Sequence, residues 1–249
     1  MHTESDGKRG KRVKIGIIGA MEVEVARLVR SMDGAKQTQR AGMHFYEGRI
    51  GRTEAVVVRC GIGKVSAGLC VQILSDLFGI THVINTGVAG SLEEEIDIGD
   101  IVVSIDAMHH DMDVTGLGYE PGQVPQLDTL AFPADPVLRV AAVKACREAA
   151  PEIGVFEGRV VSGDQFICDR DKKDRIKKVF GGLCTEMEGA AIAQAAWLNG
   201  LPFVILRAIS DKADDSVSVS YDQFESKAAR DCAGIVLAML KSFSDTEGI

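Results

Sequence analysis

The stretch VKIGIIGAM, Val13 to Met21, limits the possible folds of this chain more than any other. It is apolar almost without interruption, and a strand of that composition is covered on both faces. It reads as a buried strand ending in a turn. Helical spacing follows at once: Val25, Leu28, Val29 and Met32 recur on one face of EVEVARLVRSM. HFYEGRI and TEAVVVRCGIG predict two strands around a GR turn. VSAGLCVQILSDLFGI predicts an amphipathic helix, THVINTGVAGSL a strand running into a glycine-rich loop, and IGDIVVSIDAMHHD a further strand. PVLRVAAVKACREAA predicts a helix, VFEGRVVSGDQFI a strand and KKDRIKKVF a short, exposed, basic helix. GLCTEME leads into the helix GAAIAQAAWLNG, PFVILRAISD is a strand, and a long amphipathic helix closes the chain. Strands alternating with helices specify an α/β fold, its helices layered over a parallel or mixed sheet.

The 249 residues suffice for one domain with a sizeable core. The first twelve, MHTESDGKRGKR, are polar and basic without an apolar h-region. They predict a disordered tail over 1–12, no secretory signal, and one domain over 13–249. No apolar run reaches transmembrane length. The net charge of −8 gives no bulk attraction for nucleic acid or anionic lipid, so neither is an expected partner. Six cysteines, none in a CxxC pair or at zinc-finger spacing, predict reduced, buried thiols and a cytoplasmic protein. Residues 111–133, punctuated by Gly116, Gly118, Pro121, Gly122, Pro125 and Pro133, read as a long loop of the kind that is usually either functional or poorly ordered.

In open α/β sheets ligands gather where strands end. Glu22 and Glu24 follow the first strand, NTGVAG (Asn85 to Gly90) another, and SGDQF (Ser162 to Phe166) a third. Glu186 and Glu188 stand where a helix begins, and Arg207, Ser210 and Asp211 near the end of ILRAISD. Each has a plainer reading. Glu24 would complement a helix dipole, Asp211 would cap a turn, Glu188 and Arg207 would form a structural ion pair, and Met187 would be core. GIGKVSAG has Ser66 where a dinucleotide fingerprint needs its third glycine. In HHDMD the adjacent His109 and His110 cannot both face one site from a regular strand, so no metal is expected.

Taken in order, KIGIIGAMEVEV, GIGKVSA, NTGVAGSL, GDIVVS, HDMDVTGLGYEPGQVP, VSGDQFI, EMEGAAIA and LRAISDKAD resemble the 5'-methylthioadenosine/S-adenosylhomocysteine nucleosidases of the purine nucleoside phosphorylase superfamily. The resemblance runs from about Val13 to Lys241. It implies a three-layer α/β/α sandwich around a central twisted mixed β-sheet, a homodimer, no cofactor and no metal. It implies hydrolysis of the bond joining adenine to a 5'-thio-substituted ribose in methylthioadenosine and S-adenosylhomocysteine, with 5'-deoxyadenosine as a further substrate.

That bond breaks through an oxocarbenium-like state, and adenine leaves well only when N7 is protonated. By resemblance Asp211 is the acid, held protonated by burial or neighbouring charge and oriented by Ser210, while Glu24 activates water. Glu188 would accept the ribose hydroxyls and favour the developing cation, with Arg207 holding it ionised. Met187 would lie on the ribose face. Glu186, pointing differently from Glu188, would take a secondary or structural role. Phe166 would stack on adenine and the backbone of Ile167 bind its edge. Ala89 and Gly90 would line the ribose side, Met21 and Ile62 the 5' end, and Tyr221 the sulfur-substituent pocket. Val114, Leu117, Tyr119 and Pro125 lie in the long loop, and segment 111–126 is expected to contribute to the partner subunit's site. Two departures from the family's usual pattern, Val88 and Leu117, bear on the choice of substrate. A phosphorylase of the same superfamily, with Arg59 as phosphate ligand, and a nucleoside binder without turnover are the rival readings. Phosphate needs cationic or hydroxyl groups where this chain has Glu24.

Overall fold

The computed structural model describes residues 13–213 and 217–243, with the side chains of 217–223 excepted. The expected tail, 1–12, lies outside the described residues. Lys14–Gly19 forms β1, and Glu22–Arg30 forms α1. Three strands follow: β2 (Asp33–Arg40), β3 (Met43–Ile50) and β4 (Thr53–Arg59). Then come α2 (Lys64–Phe78), β5 (His82–Ser91), β6 (Ile101–His109), β7 (Phe132–Pro133), α3 (Pro136–Ala149) and β8 (Val155–Ser162). The chain continues through α4 (Arg170–Phe180), β9 (Cys184–Glu186), α5 (Gly189–Leu198), β10 (Phe203–Asp211) and α6 (Val217–Ser242).

The strands make one mixed sheet in the order β10-β6-β8-β9-β5-β1-β4-β3-β2. Because β10 also pairs with β5, the five strands from β10 to β5 close into a ring, and β1, β4, β3 and β2 extend from it as an open wing. Burial follows the pleat. In β1, Ile18 packs on the side covered by α2 and α5, whereas Ile15 and Ile17 face α1, α3 and α6. The layered mixed sheet is therefore as the resemblance implies, with the closure of one half added.

Two elements differ from the sequence reading. Strand β2, DGAKQTQR, gives no apolar signal because it is an exposed edge strand hydrogen-bonded only to β3. Such an edge keeps polar residues on both faces. NTGVAG is strand, not loop: β5 runs to Ser91, in register with β10 as far as Ala89 and paired with it again at Gly90. Its glycines answer to close approach. A Cβ on Gly87 would sit inside van der Waals contact of both Arg207 and Glu24, and one on Gly90 would sit 2.7 Å from Asp211 Oδ1.

Candidate active site

The ends of β1, β5, β9 and β10 bound a cleft of about 430 Å³, lined mostly by apolar side chains. Its buried polar groups come from four different elements. Glu24 lies in the first turn of α1 and is only 1% exposed. Its Oε2 accepts from the amides of Ala20 (2.6 Å) and Met21 (2.9 Å), and its Oε1 from the amide of Val88 (3.0 Å). Three amide donors thus fix the carboxylate across the β1–β5 junction. Burial raises its carboxyl above the usual range, opposed by Arg207 and by those amides.

The paired glutamates have separate jobs. Glu186 ends β9 and its carboxylate folds over the start of α5, accepting from the amides of Glu188 (3.0 Å) and Gly189 (2.8 and 2.9 Å). It also accepts from Ser162 Oγ and pairs directly with Arg207 Nη2. An anion at this point satisfies the free amides of the helix N-terminus. Glu188 reaches the other way: Gly63 N donates to its Oε1 at 2.8 Å, and its Oε2 stays 3.9 Å from Arg207. Arg207, expected to hold Glu188 ionised, lies within reach of both glutamates. Its direct carboxylate partner is Glu186, and Glu188 feels it at longer range. The two carboxylates thus differ in direction, Glu186 folding over the start of α5 and Glu188 reaching to Gly63. Both nonetheless line the cleft, Glu186 from the end of β9 and Glu188 from the residue that precedes α5. Burial, and then the charge of Glu186, push the Glu188 carboxyl up to about 7 against the pull of Arg207.

Arg207, 1% exposed in the middle of β10, donates to Asn85 Oδ1 (2.6 Å) and to the Val88 carbonyl (3.3 Å). Burial disfavours its charge, but Glu186, Glu188 and Glu24 outweigh that and hold it a cation. Its hydrogen bonds are directed at protein acceptors.

Ser210 and Asp211 are neighbours at the end of β10, and in a regular strand they would face opposite sides. Both line the cleft because the β10–β5 register shifts between Ile209 and Asp211, leaving Ser210 as the extra residue. Ser210 Oγ lies 2.8 Å from Asp211 Oδ2, and the Ala213 amide donates to Oδ1 at 2.8 Å. An amide can only donate, so Oδ1 is an acceptor. Ser210 Oγ donates to Oδ2, and as a hydroxyl it can equally accept, so Oδ2 keeps a partner in either protonation state of Asp211.

Met21, Ile62, Ala89, Gly90, Ile167 and Met187 line the cleft as expected, with Phe166 at its mouth. Phe166 is 52% exposed and Ile62 60% exposed. Ala20, Gln165 and Thr185 also line it, as does the Val88 side chain. The first three were not singled out in the sequence because each is an ordinary neighbour of a motif residue. Val114, Leu117, Tyr119 and Pro125 do not line the cleft of their own chain, and Leu117 is 78% exposed. Tyr221 lies in α6, and its side chain is outside the described residues. Arg59 lies outside the cleft, exposed, 3.9 Å from Glu22. Among the described residues no His, Cys, Asp and Glu cluster is arranged to hold a metal ion.

The sequence pattern of the phosphorylase superfamily matches residues 14–241. The 5'-methylthioadenosine/S-adenosylhomocysteine nucleosidase of Shewanella denitrificans is 43% identical over 229 residues, covering 92% of this chain and 99% of the relative. The crystal structure of the Neisseria meningitidis nucleosidase of that name, in complex with methylthio-immucillin-A, matches with a TM-score of 0.89 at 39% identity, covering 92% and 99% of the two chains. The structure of Helicobacter pylori futalosine hydrolase matches with a TM-score of 0.87 at 31% identity, covering 92% and 98%.

Proposed function

The chain belongs to the 5'-methylthioadenosine/S-adenosylhomocysteine nucleosidases of the phosphorylase superfamily, and from that premise we propose that it hydrolyses the N-glycosidic bond of methylthioadenosine and S-adenosylhomocysteine, with 5'-deoxyadenosine as a further substrate. The products are adenine and the 5'-substituted ribose. One observation carries the reading: four buried carboxyl groups, Glu24, Glu186, Glu188 and Asp211, border one apolar cleft, while its arginine is engaged by protein acceptors. Such a lining suits water and a cationic transition state and repels a phosphate dianion.

In the proposed reaction Asp211 gives its proton to adenine N7 and the N9–C1' bond breaks, its electron pair leaving with the base. Glu24 takes a proton from the water whose oxygen bonds to C1'. Glu188 accepts the ribose hydroxyls beside the developing positive charge, and Met187 covers the ribose face. Phe166 stacks on the adenine and the Ile167 backbone binds its edge. Met21 and Ile62, with Tyr221, shape the 5' end. Glu186 and Arg207 form the support that orients Glu188.

We also propose that residues 13–249 act as one nucleosidase domain, in the cytoplasm, as a homodimer. Five of the six cysteines are buried free thiols, which fits a reducing compartment. Ile62 and Phe166 at the cleft and Leu117 in segment 111–126 are exposed apolar side chains of the kind a second subunit covers, with that segment as the contributing loop. Among the described residues no helix is long and apolar enough to cross a membrane.

The test is a pair of variants. Asp211→Asn and Glu24→Gln, each folded by circular dichroism, are expected to lose activity on methylthioadenosine by at least about a hundredfold. Near-normal turnover in either removes that residue from its role.

A further inference from the structure

Helix α4 carries a residue that its packing alone does not explain. Lys173, Ile176 and Phe180 are its buried positions, spaced as one helical face, and Ile176 and Phe180 pack with Leu92, Met108, Val161, Ile167 and Ala213. An apolar side chain would complete that stripe. The chain instead buries a lysine there, 7% exposed, at a desolvation cost that only a directed contact offsets. Its Nζ donates to the main-chain carbonyl of Lys212 at 2.7 Å.

That carbonyl belongs to the peptide whose other end is the Ala213 amide, the donor to Asp211 Oδ1 at 2.8 Å. The C=O and N–H of a trans peptide point in opposite directions. One peptide is thus gripped from two sides, by Lys173 at its oxygen and by Asp211 at its nitrogen. The grip is needed because Ala213 has φ of 52°, a conformation an alanine does not hold without support from its surroundings. The Lys212 side chain anchors the same turn elsewhere, to the Ile96 carbonyl (2.6 Å), the Glu94 carbonyl (3.1 Å) and Asp97 (3.1 Å).

We propose that Lys173 is a positioning residue for the hydrolysis: through the Lys212–Ala213 peptide it holds Asp211 where its proton reaches the base. Lys173 does not line the cleft, so it acts on turnover with no contact to substrate. The inference rests on Asp211 being the acid, as proposed above.

Kinetics on methylthioadenosine with Lys173→Met, Lys173→Arg and Asp211→Asn test it together. Methionine keeps the stem and the buried packing but cannot donate. Lys173→Met is expected to lower kcat roughly tenfold with KM within about twofold, the signature of a misplaced reacting group. Lys173→Arg, which restores a cationic donor, is expected to recover most of the loss. A purely structural lysine would change melting temperature and leave the kcat of the folded enzyme intact, and that result overturns the proposal. Should Lys173→Met not fold, Lys173→Gln replaces it: a shorter amide that cannot span the gap loses kcat if the proposal holds and keeps it if not. Full activity in Asp211→Asn removes the acid itself, a failure read separately from an indifferent Lys173→Met.

Discussion

Gly87→Ala isolates how closely the two supports of the cleft are packed. Gly87 lies mid-strand in β5, paired with Arg207 of β10, and its φ is not in the left-handed region, so the backbone accepts alanine. The added Cβ does not fit. It falls inside contact of Arg207 Nη1 and Glu24 Oε1 and 2.9 Å from Glu24 Cδ. Since carbon contacts settle near 3.5–4.0 Å, the side chains must retreat by about 1 Å. Neither can do so freely. Arg207 is held by Asn85, Val88 and Glu186, and Glu24 by the amides of Ala20, Met21 and Val88. Overpacking at such a site costs about 1–3 kcal/mol, and a displacement of about 1 Å in a reacting group costs about a hundredfold in rate. Denaturant melts and a continuous adenine-release assay read the two effects separately. Wild-type stability together with wild-type kcat would refute the idea that Glu24 is rigidly seated.

The remaining predictions use the same two measurements. Gly68→Ala is the control: it sits in α2 with nothing within 4 Å of the new Cβ, and is expected to stabilise the protein by about 0.5–1 kcal/mol without changing kcat. Glu188 has a folded-state pKa raised from 4.5 to about 7, so the native state holds a proton that the unfolded chain releases. Its contribution is complete below about 4.5 and is lost as pH rises to 7. Glu188→Gln is therefore expected to flatten the fall in stability between pH 5 and 8 by roughly 2–3 kcal/mol, and parallel pH curves for the two proteins would count against it. Arg207→Met leaves Glu186 without its cation and is expected to cost about 3–5 kcal/mol in urea denaturation. A loss under 1 kcal/mol would mean that the carboxylates find other partners.

The sequence shows the buried strands and the site residues with very different clarity. VKIGIIG and FVILRAISD announce themselves because both faces of β1 and β10 are covered. DGAKQTQR does not, because an exposed edge strand carries no periodic burial. The ring closure through β10 and β5 is invisible locally, since it depends on pairings between residues more than a hundred positions apart. At the site, residue types point to carboxylate chemistry, yet the closer partner of Arg207, Glu186, is not legible. Charge alone does not distinguish Glu186 from Glu188, and the choice is made by the α5 amides that draw Glu186 inward. NTGVAG reads as a turn because glycines suggest one. In the fold they leave room for Arg207, Glu24 and Asp211 to approach the strand. The bulge at Ser210, which brings two adjacent side chains into one cleft, has no sequence signature of its own.

The central claim is that this cleft directs water, and not phosphate, at the ribose. Release of adenine from methylthioadenosine, measured in phosphate-free buffer and again with phosphate added, tests it most directly. The account predicts equal rates in both, with free methylthioribose as the second product. Release that requires phosphate and yields a sugar 1-phosphate would contradict it and return Glu24 to a structural role.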